Sequence, residues 1–537
     1  NEDHFKIRAY ETASESIEKT TTPLRDLWQE KKLDDIPGIG PSLAQHIDEL
    51  FLTGRVKHFD AIIKKLPLAM FTVLDVPGIG PKTALKLAQS LNLNPQNAKQ
   101  ELLQAAKSGQ IKSITGFGEQ SQADIITALE KLPSTHDHRF LLSEAETIAQ
   151  RVIDHLKSHS GIDRIEPLGS IRRRNATVGD IDIAVATAKP DQVIKHFLKY
   201  PGIKQVLAAG GTTARIIDAN NHQIDVKTVN PANYGALLQH FTGSKAHNIH
   251  LRELALTKGL SLSEYGIKKG QSLIKFSSEA AFYQALDLDW IPPELREDTG
   301  EIEAALQHEL PNLVALSDIR GDLHTHTSYN WHVSHDAGIN SIEDMVQAGL
   351  DYHYDYISIG DHNPSISFYD TDEKLITEVA KRTKTIEHIK SNYEKGVKSR
   401  VIKILNSLEV DIRPDGSLAL PDKALNLLDF AVASVHSVFN LNEKDMTDRI
   451  LKGLSHPKVK ILGHPTGRLL NKRSGYDIDW PKIFDFCRQH RKALEINADP
   501  HRLDLSDTLI REAIKAQVKL VINTDAHDID HLQVMHY

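Results

Sequence analysis

Two aspartates two residues apart, Asp180 and Asp182, stand at the start of the apolar run Ile181-Asp182-Ile183-Ala184-Val185, which predicts a strand. Side chains alternate along a strand, so the two carboxylates share one face. Such a pair repels itself and is costly to desolvate unless a cation lies between. Magnesium suits it, because that ion binds through one or two carboxylates plus substrate phosphates. A second run, His222-Gln223-Ile224-Asp225-Val226-Lys227, follows a turn at Ala219-Asn220-Asn221. As a neighbouring strand it would bring Asp225 alongside. Three carboxylates so placed make a two-metal site for in-line displacement at phosphorus. An Asp-x-Asp pair alone reads as a solvated strand end. Upstream, Gly169-Ser170-Ile171-Arg172-Arg173-Arg174 offers a small turn that admits phosphate and guanidinium groups that answer its charge.

A second chemistry gathers beyond residue 320, where more than half of the 28 histidines lie. Asp322-Leu323-His324-Thr325-His326-Thr327 opens it. Asp361-His362, Glu409 in Asn406-Ser407-Leu408-Glu409-Val410, His436 in Ala433-Ser434-Val435-His436, Gly463-His464-Pro465 and Asp525-Ala526-His527 follow. Each piece ends an apolar, strand-like run with a histidine or an acid. Side chains at the C-terminal ends of parallel strands converge on one mouth of a barrel. Imidazoles with carboxylates suit zinc, manganese or iron.

Length, composition and punctuation set the frame for these sites. At 537 residues several domains are expected. One cysteine, Cys487, excludes an internal disulfide and fits a reducing, cytoplasmic compartment. No apolar run is long enough to span a bilayer, so no membrane partner is expected. The chain opens at Asn1 and ends at Tyr537, which reads as trimming at both ends. A net charge of -8 does not advertise a nucleic-acid binder, yet local positive clusters at Lys31-Lys32, Lys64-Lys65, Arg172 to Arg174 and Lys268-Lys269 matter more than the total. Residues 1 to about 135 read as helical, with three related turns: Pro37-Gly38-Ile39-Gly40-Pro41, Pro77-Gly78-Ile79-Gly80-Pro81 and Thr115-Gly116-Phe117-Gly118. Each precedes a helix-forming run, and a helix N-terminus with exposed N–H groups is a natural phosphate site. Arg139 to Ser158 predicts a helix with a core-facing stripe at Ala145, Ile148, Val152 and Leu156. A charged link is expected from Pro292 to about Ala315.

The order and spacing of Gly169-Ser170, Gly179-Asp180-x-Asp182, Asp225 and Phe241-Thr242-Gly243-Ser244 resemble the palm and thumb of a family X DNA polymerase. The paired hairpins resemble helix-hairpin-helix motifs, and the histidine-rich part resembles a PHP (polymerase and histidinol phosphatase) domain. The resemblance covers nearly the whole chain. It implies a multidomain α/β protein, with helical helix-hairpin-helix regions at 1–65 and 66–135. A mixed-sheet nucleotidyltransferase palm at 136–235 and a thumb-like subdomain at 236–305 follow, then a linker at 306–318. A distorted (β/α)7 PHP barrel at 319–537 completes it.

Carried onto this sequence, the resemblance makes Asp180, Asp182 and Asp225 the catalytic ligands of magnesium or manganese. Gly169, Ser170 and Arg173 would meet the triphosphate, and His240, Phe241 and Gly243 the incoming nucleotide. Asn248 would contact the base and Arg252 the template strand. Gly38, Gly40, Gly78 and Gly80 would hold DNA backbone across a gap. In the PHP part, His324, His326, Asp336, His362, Glu409, His436, His464, Asp525 and His527 would bind up to three manganese, zinc or iron ions. His335 is an alternative to Asp336, because the family's Ser-Asp-Gly is replaced by a longer loop from Tyr329 to Gly338. Other departures are His240 for the usual tyrosine, Lys227 for arginine, Arg174 for glycine, and His46 where a lyase lysine would stand. An imidazole does not make the needed amine Schiff base. The expected function is a monomeric gap-filling repair polymerase acting on primed or gapped DNA with dNTPs, coupled to a 3'-5' exonuclease. The alternatives are a DNA-binding scaffold with a decayed palm, leaving only the nuclease active, and a small-molecule phosphoesterase.

Overall fold

The structure, a computed structural model, describes residues 139–366, 368–395 and 402–537 without a break. Before them it describes 10, 13, 28, 31, 33–35, 38–53, 55–64, 66–74, 76, 79–95 and 98–131. Gly78 therefore lies outside the described residues, as do Lys32, Pro37, Lys65 and Pro77. Two compact units form: residues 1–138 with 243–258 and 295–302, and residues 139–242 with 259–294 and 303–537. The stretch expected as a thumb is thus divided between the two.

In the first unit the hairpin glycines lead into helices Pro41–Thr53, Pro81–Ser90 and Glu119–Lys131. Gly80 caps its helix with Pro81 in the first position, where a missing N–H leaves no bond unmade. A side chain added at Gly40, Gly80 or Gly118 would meet no neighbouring group within 4 Å. These tips are therefore open to an outside partner. Val73, Ala84, Leu87, Leu102 and Ile111 are fully buried beneath them. Each such Leu or Ile contributes roughly 1.5–3 kcal/mol by leaving water. In the same unit Ser244 caps helix Lys245–Thr257, and buried His247 donates to Glu301 at 2.6 Å.

The second unit contains two larger sheets. Strand β1 (Phe140–Leu141) pairs with β3 (Thr177–Val178), so the helix expected from Arg139 begins only at Leu142 and runs to Lys157. The stripe at Ala145, Ile148, Val152 and Leu156 faces the core as expected. Strands β2 (Arg164–Pro167), β4 (Ile181–Ala186), β5 (Ile203–Ala209), β6 (Thr213–Asp218) and β7 (Gln223–Val229) form a mixed sheet in the order β2-β4-β7-β6-β5. Only β4 and β7 are parallel. In β4 every residue except Asp182 is buried, as expected of a central strand covered on both faces. A small antiparallel sheet of β8 (Leu260–Ser263), β9 (Gly266–Lys269) and β10 (Ser272–Ile274) follows. Helix Glu301–Gln307 runs into the expected link.

Strands β11 (Gly321–Asp322), β12 (Tyr356–Ile359), β13 (Lys403–Asp411), β14 (Phe430–Ser434), β15 (Val459–Leu462), β16 (Ala493–Asn497) and β17 (Lys519–Asn523) form a parallel seven-stranded sheet in sequence order. A parallel bridge between Thr325 and Ala526 brings its ends together, giving a nearly closed barrel. The barrel is tied to the β2–β7 part of its unit through Arg174. That residue adopts φ +58 and spreads its guanidinium between Glu146 (3.1 Å) and the carbonyl of His536 (2.7 Å). Asn471 donates to the carbonyl of Arg139 at 2.6 Å. The arginine found where glycine is usual is therefore an anchor between two sheets.

Candidate active sites

Asp182 on β4 and Asp225 on β7 are register partners across parallel strands, so both carboxylates rise from the same face. Asp180 lies exposed just before β4. The carbonyl of Asp182 accepts from Leu168 N at 2.8 Å, which draws the following turn against the strand. Gly169 begins that turn at φ +57, and a Cβ there would stand 3.2 Å from Asp182 Oδ2. Glycine is the residue that fits both the backbone and the approach. Ser170 and Arg173 sit on the same turn. Arg173 donates to the carbonyl of Thr242, and Arg172 grips buried Glu279 with both terminal nitrogens, at 2.9 and 2.6 Å.

Two cations attend the carboxylates. Arg215, the register partner of Asp225 on β6, chelates it with two bonds of 2.7 Å. Lys227 donates to Asp182 Oδ1, stands 3.8 Å from Asp225 Oδ2 and lies 4.7 Å over the ring of Phe241. Burial pushes the Asp182 carboxyl above its ordinary range. Lys227 pulls the other way, and Asp180 and Asp225 add to the rise. With Asp180 the cluster holds three carboxylates against two cations, a net negative charge suited to a divalent cation once Lys227 moves aside. His240 packs edge-on against Phe241, with ring centres 4.8 Å apart. Gly243, Asn248 and Arg252 belong to the first unit, the last two four residues apart on one face of helix Lys245–Thr257.

At the C-terminal mouth of the barrel the candidate ligands converge. His324, His326, Glu409 and Asp525 each offer one atom within 4.8 Å of the others. So do His362, Glu409 and His436, and so do His326, His362 and His527. His464 donates to Glu409 Oε1 at 3.0 Å. Asp336 lies 3.4 Å from both His362 and His527, whereas His335 donates to Asp411 at 2.9 Å. Among the described residues six buried atoms here lack a well-aligned hydrogen bond: Nε2 of His324 and His527, Nδ1 of His326, His362 and His464, and Oε2 of Glu409, which His362 Nδ1 and His324 Nε2 approach to 2.9 and 3.4 Å as ion pairs. Buried polar atoms are normally paired, so this cluster fits several cations held together. A cleft of about 430 Å³ opens onto it, with Arg473 and Arg502 on its wall.

The site holds its charge in a divided state. Burial alone would lower His362, but Glu409 and Asp336 outweigh it and raise the group to about 10. His436 likewise rises to about 9 against burial, through Glu409 and Asp411. His326, held down by burial and by His362 and His527, falls to about 3.

Several positioning groups escape a reading of the sequence. Fully buried Glu495 on β16 accepts from His324 Nδ1 at 2.8 Å and from His464 N at 2.7 Å. Asp411 accepts from His436 Nδ1 at 2.7 Å. Both carboxylates turn the far ring nitrogen toward Glu409. Fully buried Arg382 fixes Asp361, which in turn accepts from Thr327 N. Glu495 sits in the middle of β16, between Leu494 and Ile496, so no strand end marks it in the sequence.

A nucleotidyltransferase-type sheet with paired carboxylates and a histidine-ringed parallel barrel define a protein built for two phosphoryl chemistries. Comparison with known proteins agrees. Residues 1–56 match the helix-hairpin-helix domain family, 71–131 the SAM-like helix-hairpin-helix tandem, 237–297 the DNA polymerase beta thumb and 322–499 the PHP domain. The chain is 33% identical over 537 residues to the DNA polymerase/3'-5' exonuclease PolX of Bacillus subtilis (strain 168), covering 99% of this chain and 90% of that one. It is 28% identical over 329 residues to DNA polymerase lambda of Arabidopsis thaliana, covering 54% and 57%. A probable phosphatase of Caldicellulosiruptor saccharolyticus matches over 85 residues at 35%, covering 16% of this chain and 33% of that one. The chain belongs to the family X DNA polymerases that carry a PHP domain.

Proposed function

We propose that this chain is a template-directed, gap-filling DNA repair polymerase that also removes nucleotides from 3' ends through its PHP barrel. One observation supports the synthetic half best: Asp182 and Asp225 face each other in register, with the Gly169 turn pressed against the first. Asp180, Asp182 and Asp225 would hold magnesium or manganese, which supplies neutralisation of the transferring phosphoryl charge. Gly169, Ser170 and Arg173 would receive the triphosphate, and His240, Phe241, Gly243 and Asn248 the nucleotide. Arg252 would touch the template. Gly38, Gly40, Gly78 and Gly80 would bind the backbone of primed or gapped DNA without reading bases.

In the barrel, His324, His326, Asp336, His362, Glu409, His436, His464, Asp525 and His527 would hold up to three manganese, zinc or iron ions. Those ions supply polarisation of a phosphodiester and of the attacking water. Among the described residues no helix is long and apolar enough to cross a membrane. We further propose that the chain acts as a monomer in the cytoplasm, the compartment expected of a bacterial repair polymerase.

A decayed palm is the second reading, and Lys227 favours it by occupying Asp182. Primer extension on a short gapped duplex with dNTPs and magnesium or manganese separates the two. Extension supports the polymerase, and its absence beside active 3' degradation supports the scaffold.

A further inference from the structure

After the second histidine the chain runs through an irregular loop from Tyr329 to Gly338, and this loop builds a specific surface. Trp331 anchors the loop, nine-tenths buried, with the guanidinium of Arg382 5.5 Å from its ring. Val333 bridges to Pro364, Ser334 N donates to Asn363 O at 2.9 Å, and Ser365 N donates to His332 O at 2.7 Å. On this braced pair of segments His332 lies against Phe368 with ring centres 3.6 Å apart, and Tyr369 stands 4.9 Å beyond. Phe368 is 56% exposed and Ile366 44%. Phe368 keeps more than half of its surface in water beside exposed Ile366, and contiguous apolar groups left exposed in this way mark binding surfaces.

The ledge shares its loop with the wall of the metal cleft. His335 and Asp336 of the same loop line that cleft, and His362 lies just before the second segment. We infer that His332, Ile366, Phe368 and Tyr369 form a stacking ledge for unpaired bases of a DNA strand whose 3' end enters the barrel. The inference rests on the proposed exonuclease. An enzyme that shortens any sequence needs contacts indifferent to base identity, and every base offers a π-face to an aromatic ring. Arg473 and Arg502 on the cleft wall add positive charge suited to the strand's phosphates.

The test uses the full chain in EDTA, which keeps the DNA intact. The probe is a short single-stranded oligonucleotide with 2-aminopurine two nucleotides from its 3' end. Binding should quench the fluorescence. Phe368→Ala should abolish the quench and weaken binding about tenfold. Phe368→Trp should restore both, and a fully paired duplex should show no dependence on residue 368. Manganese-dependent hydrolysis of bis(p-nitrophenyl) phosphate should be equal in wild type and Phe368→Ala, which excludes a collapsed cleft. Unchanged quench and affinity in Phe368→Ala would overturn the ledge, as would a change in self-association in place of a change in DNA binding. If wild type quenches normally but neither hydrolyses the small diester nor shortens DNA, the ledge stands and the nuclease reading falls.

Discussion

The ammonium of Lys227 rests on Asp182 and stands 3.8 Å from Asp225, between the two carboxylates that face each other across β4 and β7. It occupies the side from which a divalent cation would be shared. A charge-assisted bond of this kind is worth roughly 1.5–3 kcal/mol, and metal loading must displace or reorient it. Lys227→Gln is therefore expected to lower the magnesium concentration that half-saturates primer extension, by about fivefold or more. A magnesium titration on a gapped duplex reads this directly. An unchanged or higher half-saturation point would mean that the lysine helps to bind the cation's phosphate partners.

Glu495 acts through His324. Replacing it with glutamine keeps the volume but removes the negative acceptor that fixes the imidazole's orientation. Metal affinity of the barrel is expected to fall about 10- to 100-fold. Equilibrium dialysis with manganese, followed by elemental analysis, measures it. Polymerase activity should be unaffected.

Protons and metals compete for the barrel site. His362 and His436, raised to about 10 and 9 by Glu409 and by Asp336 or Asp411, carry protons in the metal-free site at neutral pH. A cation must expel them, so apparent affinity should rise with pH until these groups titrate. Below about pH 9, up to two protons should be released on loading. Calorimetry in buffers of different ionisation enthalpy counts them, and a proton count of zero would contradict the arrangement.

His46 stacks on His58, with ring centres 5.2 Å apart, and shares a 3.3 Å hydrogen bond with Tyr10. No lysine of helix Pro41–Thr53 is available for Schiff-base chemistry. Borohydride treatment in the presence of abasic DNA is expected to trap no adduct on this helix. A labelled peptide from residues 41–53 would refute that.

Much of this architecture could be read from the chain alone, because ligands end apolar runs. His324, His362, His436, His464 and Asp525 each follow a strand of the barrel, which gathers them around Glu409 and His326. Other features were illegible for a common reason: they depend on partners that only strand pairing and packing supply. Phe140–Leu141 leaves the helical pattern because it pairs with Thr177–Val178. Arg215 reaches Asp225 only through strand register. Arg174 looks like a lost glycine until His536 and Glu146 are seen to hold it. Asp411 and Glu495 are ordinary strand acids until the imidazoles they support are in place.

The most direct measurement crosses two variants with two assays. Asp182→Ala with Asp225→Ala, and His324→Ala with His326→Ala, are each tested for extension of a gapped primer and for 3' degradation of single-stranded DNA. The first pair should lose extension by about a thousandfold or more while degrading DNA normally. The second should extend normally and lose degradation to a similar degree. Loss of both activities in either variant, or of the opposite one, would contradict two independent cation sites in one chain.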